Sequence, residues 1–103
     1  MLQIITTPAF DSWLNEQIDD RTAKISIAAW MTRLQAGDTG DARSVGDTIL
    51  ELSIDHGTGY RLYLMPNEPE EGFGYVVLSG SDGLTSRAAD IATARSLAAQ
   101  FKD

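Results

Sequence analysis

An α+β fold is predicted, in the order β-α-α-β-β-β-α, with the helices packed on one side of a small, mainly antiparallel sheet. Three observations predict it. Apolar residues recur at helical spacing in the first third of the chain, they alternate from Leu50 to Ile54 and again from Tyr60 to Leu64, and helical spacing returns after Ser86.

Residues 2–6 (LQIIT) form a short apolar and β-branched run that suits an edge strand. Thr7-Pro8 then marks a helix start. Thr7 caps free amide groups, and Pro8 fits the first helical position, where its missing N–H loses nothing. Phe10, Trp13, Leu14 and Ile18 fall on one face of that helix. Asp19-Asp20 interrupts the pattern and supplies carboxylates for a second helix N-terminus. Ala23, Ile27, Trp30, Met31 and Leu34 continue at helical spacing up to Gly37, a suitable C-cap. The aromatic stripes of this hairpin read as core.

The stretch 37–48 (GDTGDARSVGDT) is polar and turn-rich. After it Leu50, Leu52 and Ile54 alternate with Glu51 and Ser53, and beyond the loop 55–59 Tyr60, Leu62 and Leu64 alternate with Arg61, Tyr63 and Met65. Pairing Ile54 with Tyr60 sets Leu52 against Leu62 and Leu50 against Leu64, one apolar face. The same register sets Ser53 opposite Arg61, with Glu51 diagonal to that arginine. The stretch 66–72 (PNEPEEG) reads as an acidic loop, and Gly74 to Gly80 as a third strand of the meander. Ser86 caps a last helix in which Ala88, Ile91, Ala94, Ala98 and Phe101 share a face.

The 103 residues suit a single domain, 1–103. Cysteine is absent, which excludes disulfides and thiolate metal sites and makes a reducing cytoplasm the expected location. The N-terminus lacks the basic and apolar regions of a signal peptide. No apolar run approaches the roughly 20 residues that span a bilayer, so no membrane association is expected. Net charge is −7, from 15 acids and 8 bases. Such a balance keeps a small protein soluble and does not favour phosphate backbones, which are bound through cations that displace counterions.

Familiar catalytic motifs are missing. There is no phosphate-binding GxxxxGK[ST] loop, and the glycine spacing of a nucleophile elbow is absent around Ser81. Asp38, Asp41 and Asp47 mimic a calcium loop only loosely, since Ile49 and Leu52 stand where a bidentate Glu is required. The single histidine, His56, has no His or Cys partner for zinc. Neither a metal nor another cofactor is expected.

The run GDTGDARSVGDTILELSIDHGTGYRLYL, Gly37 to Leu64, resembles the diagnostic stretch of the addiction-module killer branch of the RelE/ParE toxin superfamily: G-N-x-G-D-x-K-x-V, then E-L-R-I, then G-x-G-Y-R-x-Y. FDSWLNEQIDDRTAKISIAAWMTRL, from Phe10 to Leu34, resembles the helical hairpin that precedes it there (F-x-x-W-L, then D-x-x-A). SGSDGLTSRAADIATARSLA resembles the branch's tail, G-G-D-K-x-T-Q-x-x-D-I-x-x-A. The resemblance covers nearly the whole chain in order.

It implies the toxin half of a type II toxin–antitoxin pair, with a small helix-turn-helix antitoxin as cognate partner. Many such toxins are metal-independent endoribonucleases that cut mRNA in the ribosomal A site, using basic residues and the RNA's own 2′-hydroxyl. Cleavage needs proton transfer and stabilisation of an anionic phosphorane, and a permanently charged guanidinium suits the second task.

Arg61 stands at the branch's strand arginine, and two roles are open to it: phosphorane stabilisation, or a cross-strand pair with Glu51. Arg43 stands at the lysine position and is a candidate phosphate contact or a solvated loop arginine. Tyr63 shares the face of Arg61 and either meets RNA or packs on the sheet. His56 is a candidate RNA contact and general acid, or a loop histidine without special role. Arg87 is a candidate RNA contact in place of a lost lysine, or a surface charge like Arg95.

The chain departs from the pattern where Ser53 replaces the arginine of E-L-R-I, Gly83 the lysine of G-G-D-K and Ser86 the glutamine; Trp30 occupies a helix position often held by arginine. Loss of one catalytic charge lowers rates by about 10²–10³. Three functions follow: a ribosome-dependent mRNA endonuclease that inhibits translation, a weakened homologue that binds its antitoxin and tunes its operon, or a ParE-like gyrase inhibitor.

Overall fold

The chain begins with β1 (Gln3–Thr6) and turns directly into α1 (Pro8–Ser12). The computed structural model describes residues 2–57, 59–68 and 72–102. Thr7 caps α1 by accepting from the Phe10 N–H at 3.1 Å, and its hydroxyl donates to the Leu78 carbonyl at 2.6 Å. One side chain thus joins the helix start to the sheet.

The first helix is not α-helical as far as Ile18. After Ser12 it widens into a π-helical turn, Trp13–Gln17. Trp13, the first residue of that turn, lies on the backbone of Gly80, where an added Cβ would collide with the indole ring. Asp20 then caps α2 (Arg21–Gln35), accepting from the N–H groups of Thr22 at 2.9 Å and Ala23 at 3.3 Å. Helix α2 returns to the start of the chain, where its Gln35 carbonyl accepts from the Leu2 N–H. It ends in a Schellman motif: Gly37 at φ 87° donates to the Leu34 carbonyl, and Asp38 donates to that of Arg33.

The sheet has five strands in the order β1-β5-β4-β3-β2, with β2 at Arg43–Ser44, β3 at Leu50–Ile54, β4 at Tyr60–Asn67 and β5 at Gly74–Ser81. It is mixed, because β1 runs parallel to β5 while every other pair is antiparallel. The register of β3 on β4 is the predicted one, Ile54 to Tyr60, Leu52 to Leu62 and Leu50 to Leu64, with Ser53 opposite Arg61. The two-residue β2 falls inside the stretch read as turns. Pro66 and Asn67 belong to β4 and pair with Tyr75 and Gly74, so the acidic loop starts two residues later than predicted; its residues 69–71 lie outside the described residues. An extra residue in β5, Leu78, sits between Val77 opposite Leu64 and Ser79 opposite Tyr63.

The helices do not share one side of the sheet. The hairpin covers one face, where Phe10, Trp13, Ile18, Ile27 and Leu34 pack on Leu52, Leu62, Leu64 and Val77. The last helix, α3 (Arg87–Lys102), covers the other, where Ala94 and Ala98 pack on Ile49, Tyr63, Met65, Val76 and Leu78. The reason lies in β4 and β5. Their apolar residues point both ways, and Tyr63, Met65, Val76 and Leu78 leave a second hydrophobic face that burial under α3 removes from water. Ser86 caps α3 as predicted, its Oγ accepting from the Ala89 N–H at 3.1 Å. Ala88 is exposed and takes no part in the buried stripe, which Ile91, Ala94, Leu97 and Ala98 form.

Candidate functional site

Directly paired residues of neighbouring strands project to the same face. Arg43, Glu51, Tyr63 and Ser79 therefore form one row across four strands, and Ser53, Arg61 and Ser81 form the next. Both rows lie on the α3 side of the sheet, and the first two turns of α3 bring Arg87 and Asp90 to them.

Arg61 does not pair with Glu51. Its Nη2 donates to Asp90 Oδ2 at 2.9 Å and more weakly to the Thr85 carbonyl at 3.4 Å. Its Nε is buried with no acceptor among the described residues. Asp90 also accepts from the Thr85 hydroxyl at 2.6 Å. Burial pushes the Asp90 carboxyl up, but hydrogen bonds from Thr85 and Ser81 and the Arg61 guanidinium outweigh it and hold the group below its ordinary value.

Glu51 is occupied elsewhere. Arg87 Nε donates to both of its carboxylate oxygens, at 3.1 and 2.9 Å, and the Tyr63 hydroxyl donates to Oε2 at 2.9 Å. Burial raises the Glu51 carboxyl, and the bonds from Arg87 and Tyr63 overcome this and leave it below its usual value. Burial and the bond to Glu51 push the Tyr63 hydroxyl well up, so it stays protonated as a donor. Tyr63 is completely buried, packed in the sheet under α3.

The other candidates separate. Arg43 is exposed and makes no ion pair among the described residues. It lines a cavity of about 350 Å³ with Asp41, Glu51, Ser53 and Arg87. His56 is on the hairpin side, with Nε2 3.2 Å from Asp20 Oδ2 and its ring beside that of Tyr60. It therefore stands apart from Arg61, and the bond lowers the Asp20 carboxyl. Arg95 pairs with Asp47 at the surface. No group of three or more His, Cys, Asp or Glu among the described residues is arranged to hold a metal ion.

A second cavity, of about 330 Å³, is lined by Ser53, Tyr60, Arg61 and Gly83 among others. Ser53 borders both cavities, at the end of β3. Asp90 is the residue that sequence reasoning missed. Its one signal was its place in the D-I of the tail, one turn after the Ser86 cap.

Fold and site together define a small α+β protein with a mixed five-stranded sheet and, at one end, arginines held by carboxylates of the same chain. No family model matches the chain. It is 43% identical over 100 residues to a protein of Haemophilus influenzae that bears the name uncharacterized protein, covering 97% of this chain and 96% of that one. The chain belongs to the same family as that protein. No helix of the described residues is long and apolar enough to cross a membrane.

Proposed function

We propose that the chain is the toxin-fold component of a type II toxin–antitoxin module, working by binding its antitoxin, with its endonuclease chemistry strongly reduced. One observation carries this reading. Ser53, Arg61 and Gly83, far apart in sequence, line one cavity, and they stand where the killer-branch pattern has Arg, Arg and Lys. Convergence on one hollow supports the resemblance, and the loss of two of its three charges supports weak cleavage. The remaining cation, Arg61, already neutralises Asp90 at 2.9 Å, so a phosphate would have to displace that carboxylate.

The test is induction of the chain alone in bacteria beside Arg61→Ala and Ser53→Arg, with growth followed and mRNA ends mapped. Ser53→Arg restores a pattern charge on a strand, whereas lysine at Gly83, whose φ is 82°, adds backbone strain. Normal growth with intact mRNA for the unaltered chain, and new ribosome-phased ends for Ser53→Arg, is the expected result. Growth arrest by the unaltered chain that is lost in Arg61→Ala overturns the reduced-activity reading in favour of a competent endonuclease.

That second reading is favoured by Arg43, which has no ion-pair partner among the described residues, and Arg87, whose side chain is 52% exposed beside it. In it both arginines contact phosphate and Arg61, released from Asp90, stabilises the phosphorane as the 2′-hydroxyl attacks phosphorus. The 2′ proton goes to solvent water, the bond from phosphorus to the 5′-oxygen breaks, and the 5′-oxygen leaves with a proton taken from water.

A further inference from the structure

The two edges of the sheet differ. Strand β2 is two residues long and carries Arg43, the kind of charge that blunts an edge against further pairing. Strand β1, at the opposite edge, has no charged residue over Gln3–Thr6. Gln3 and Thr7 donate to the carbonyls of Phe73 and Val77, so the peptide groups of Gln3, Ile5 and Thr7 face β5 and those of Ile4 and Thr6 face away. On that outer side the Leu2 N–H is taken by the Gln35 carbonyl at 2.7 Å. The backbone N–H and C=O groups of Ile4 and Thr6 have no hydrogen-bond partner among the described residues.

The side chains along this edge are open as well. Ile4 packs against the core under the hairpin and Ile5 against the core under α3, yet both stay half-buried, because no strand lies beyond β1 to finish either layer. Past Thr6, Thr7, Pro8 and Ala9 meet Leu97, Gln100 and Phe101 of α3 around a cavity of about 300 Å³, in which Phe101 remains 40% exposed. In an added strand, the residues opposite Ile5 and Thr7 point to the α3 side of the sheet, where this cavity lies. Free backbone groups at strand spacing and an apolar hollow at the end of the same edge thus occur together.

We infer that the β1 edge docks an extended, positively charged segment of a partner polypeptide, which joins the sheet as a sixth strand. Its backbone satisfies Ile4 and Thr6, and its alternate apolar side chains cover Ile5 and enter the hollow beside Phe101. Charge fixes the sign of the occupant. The chain carries −7, and Asp11, in the first turn of α1 beside the hollow's Pro8 and Ala9, is exposed and makes no ion pair among the described residues. The hollow is also walled by the last turns of α3, whose free carbonyls favour a cation. A second copy fits less well. It brings another −7, and its own edge offers only the Ile4 and Thr6 groups before Pro8, which has no N–H. Strand β5 separates this edge from Arg61 on β4, so the inference goes beyond the toxin reading and survives its failure.

Titration of the isotopically labelled protein with the capped peptide Lys-Thr-Val-Thr-Val-Thr-Lys, followed by amide NMR shifts and hydrogen exchange, tests it. Shifts are expected at Ile4 to Thr6 and at Leu97 to Phe101, with exchange of the Ile4 and Thr6 amides slowed at least about tenfold. The same peptide N-methylated at alternate residues, which removes its donors to this edge, is expected to bind at least about tenfold more weakly, and a version ending in Glu instead of Lys about threefold to tenfold more weakly. Ile4→Pro removes only an outward N–H and is expected to abolish binding while the amide shifts of β5 are retained. Equal binding of the N-methylated peptide, or no shift at this edge at about 1 mM peptide, overturns the proposal. Sedimentation of the protein alone covers the other occupant: a dimer that Ile4→Pro dissociates overturns the partner strand in favour of a second copy.

Discussion

Arg61 on β4 and Asp90 on α3 form a 2.9 Å ion pair across the boundary between sheet and helix, with side chains only 21% and 13% exposed. Among the described residues it is the single ion pair between α3 and the strand that carries the resemblance's key arginine. It also holds that arginine in place by a group from the same chain.

Asp90→Ala removes the counter-charge and leaves the Arg61 guanidinium, whose Nε already lacks an acceptor among the described residues, without its main partner. Because the pair is not fully buried, the loss is expected to be about 2 kcal/mol, below the roughly 3–5 kcal/mol typical of a buried pair. Urea denaturation measures it. The double variant Asp90→Ala/Arg61→Met should be less destabilised than the sum of the single changes, with a coupling of about 1–2 kcal/mol. Simple additivity would show that the pair contributes nothing.

Acid sensitivity follows from Glu51 and Asp90. Both carboxyls titrate below their ordinary values of 4.5 and 3.8. The unfolded chain therefore takes up protons first as the pH falls. Their stabilisation is complete above the ordinary values and is lost as the pH drops through the depressed ones. Glu51→Gln keeps an acceptor for the Tyr63 hydroxyl but removes the charge facing Arg87. Urea midpoints should then be lower at neutral pH and fall less steeply below about pH 4.5. An unchanged slope would assign the acid sensitivity to other groups.

Two glycines separate steric from conformational effects. A Cβ at Gly80 would overlap the ring of the buried Trp13, which Phe10 and Tyr60 hold from other sides. Gly80→Ala is expected to destabilise by about 1–3 kcal/mol and to shift tryptophan fluorescence. Gly37 has φ 87° and room around it, since an added Cβ would lie 3.8 Å from Leu2 Cδ1, an ordinary contact. Gly37→Ala should lose about 1 kcal/mol from backbone strain alone and leave the fluorescence unchanged.

Thr7→Val keeps the shape but removes both bonds of the hydroxyl, the cap on Phe10 and the bond to Leu78. Because the site is buried, the expected loss is about 2 kcal/mol, read as a lower thermal midpoint. A change below a few tenths would mean that water replaces both bonds.

Local signals in the sequence were legible. The Thr7-Pro8 start, the Gly37 stop and the Ser86 cap are each made by one or two residues, and all three are present. The β3–β4 register was legible because slipping it by one residue would turn Leu52, Ile54, Leu62 and Leu64 to the opposite face. What was not legible depended on distant partners. The second apolar face of β4 and β5 is hidden by alternation that marks only one face, so the side taken by α3 could not be read. The register places Arg61 diagonal to Glu51, yet it bonds to Asp90, 29 positions along the chain. The π-helical turn has the same apolar spacing as an α-helix. The convergence of Ser53, Arg61 and Gly83 on one hollow likewise needed the register and the loop after β5 together.

The parallel seam between β1 and β5 sets the order in which the chain can be assembled. The Thr7 hydroxyl and the Leu78 carbonyl it meets are 71 positions apart. As the chain leaves the ribosome, β1 has no partner until β5 has emerged, and the hairpin behind it has no sheet to cover. Contacts of such long separation slow folding, since the closure entropy of the intervening chain opposes them before they form. The fold is therefore completed only after β5 has emerged, and a nascent chain lacking β5 exposes the apolar face of its hairpin to whatever chaperone stands at the tunnel exit.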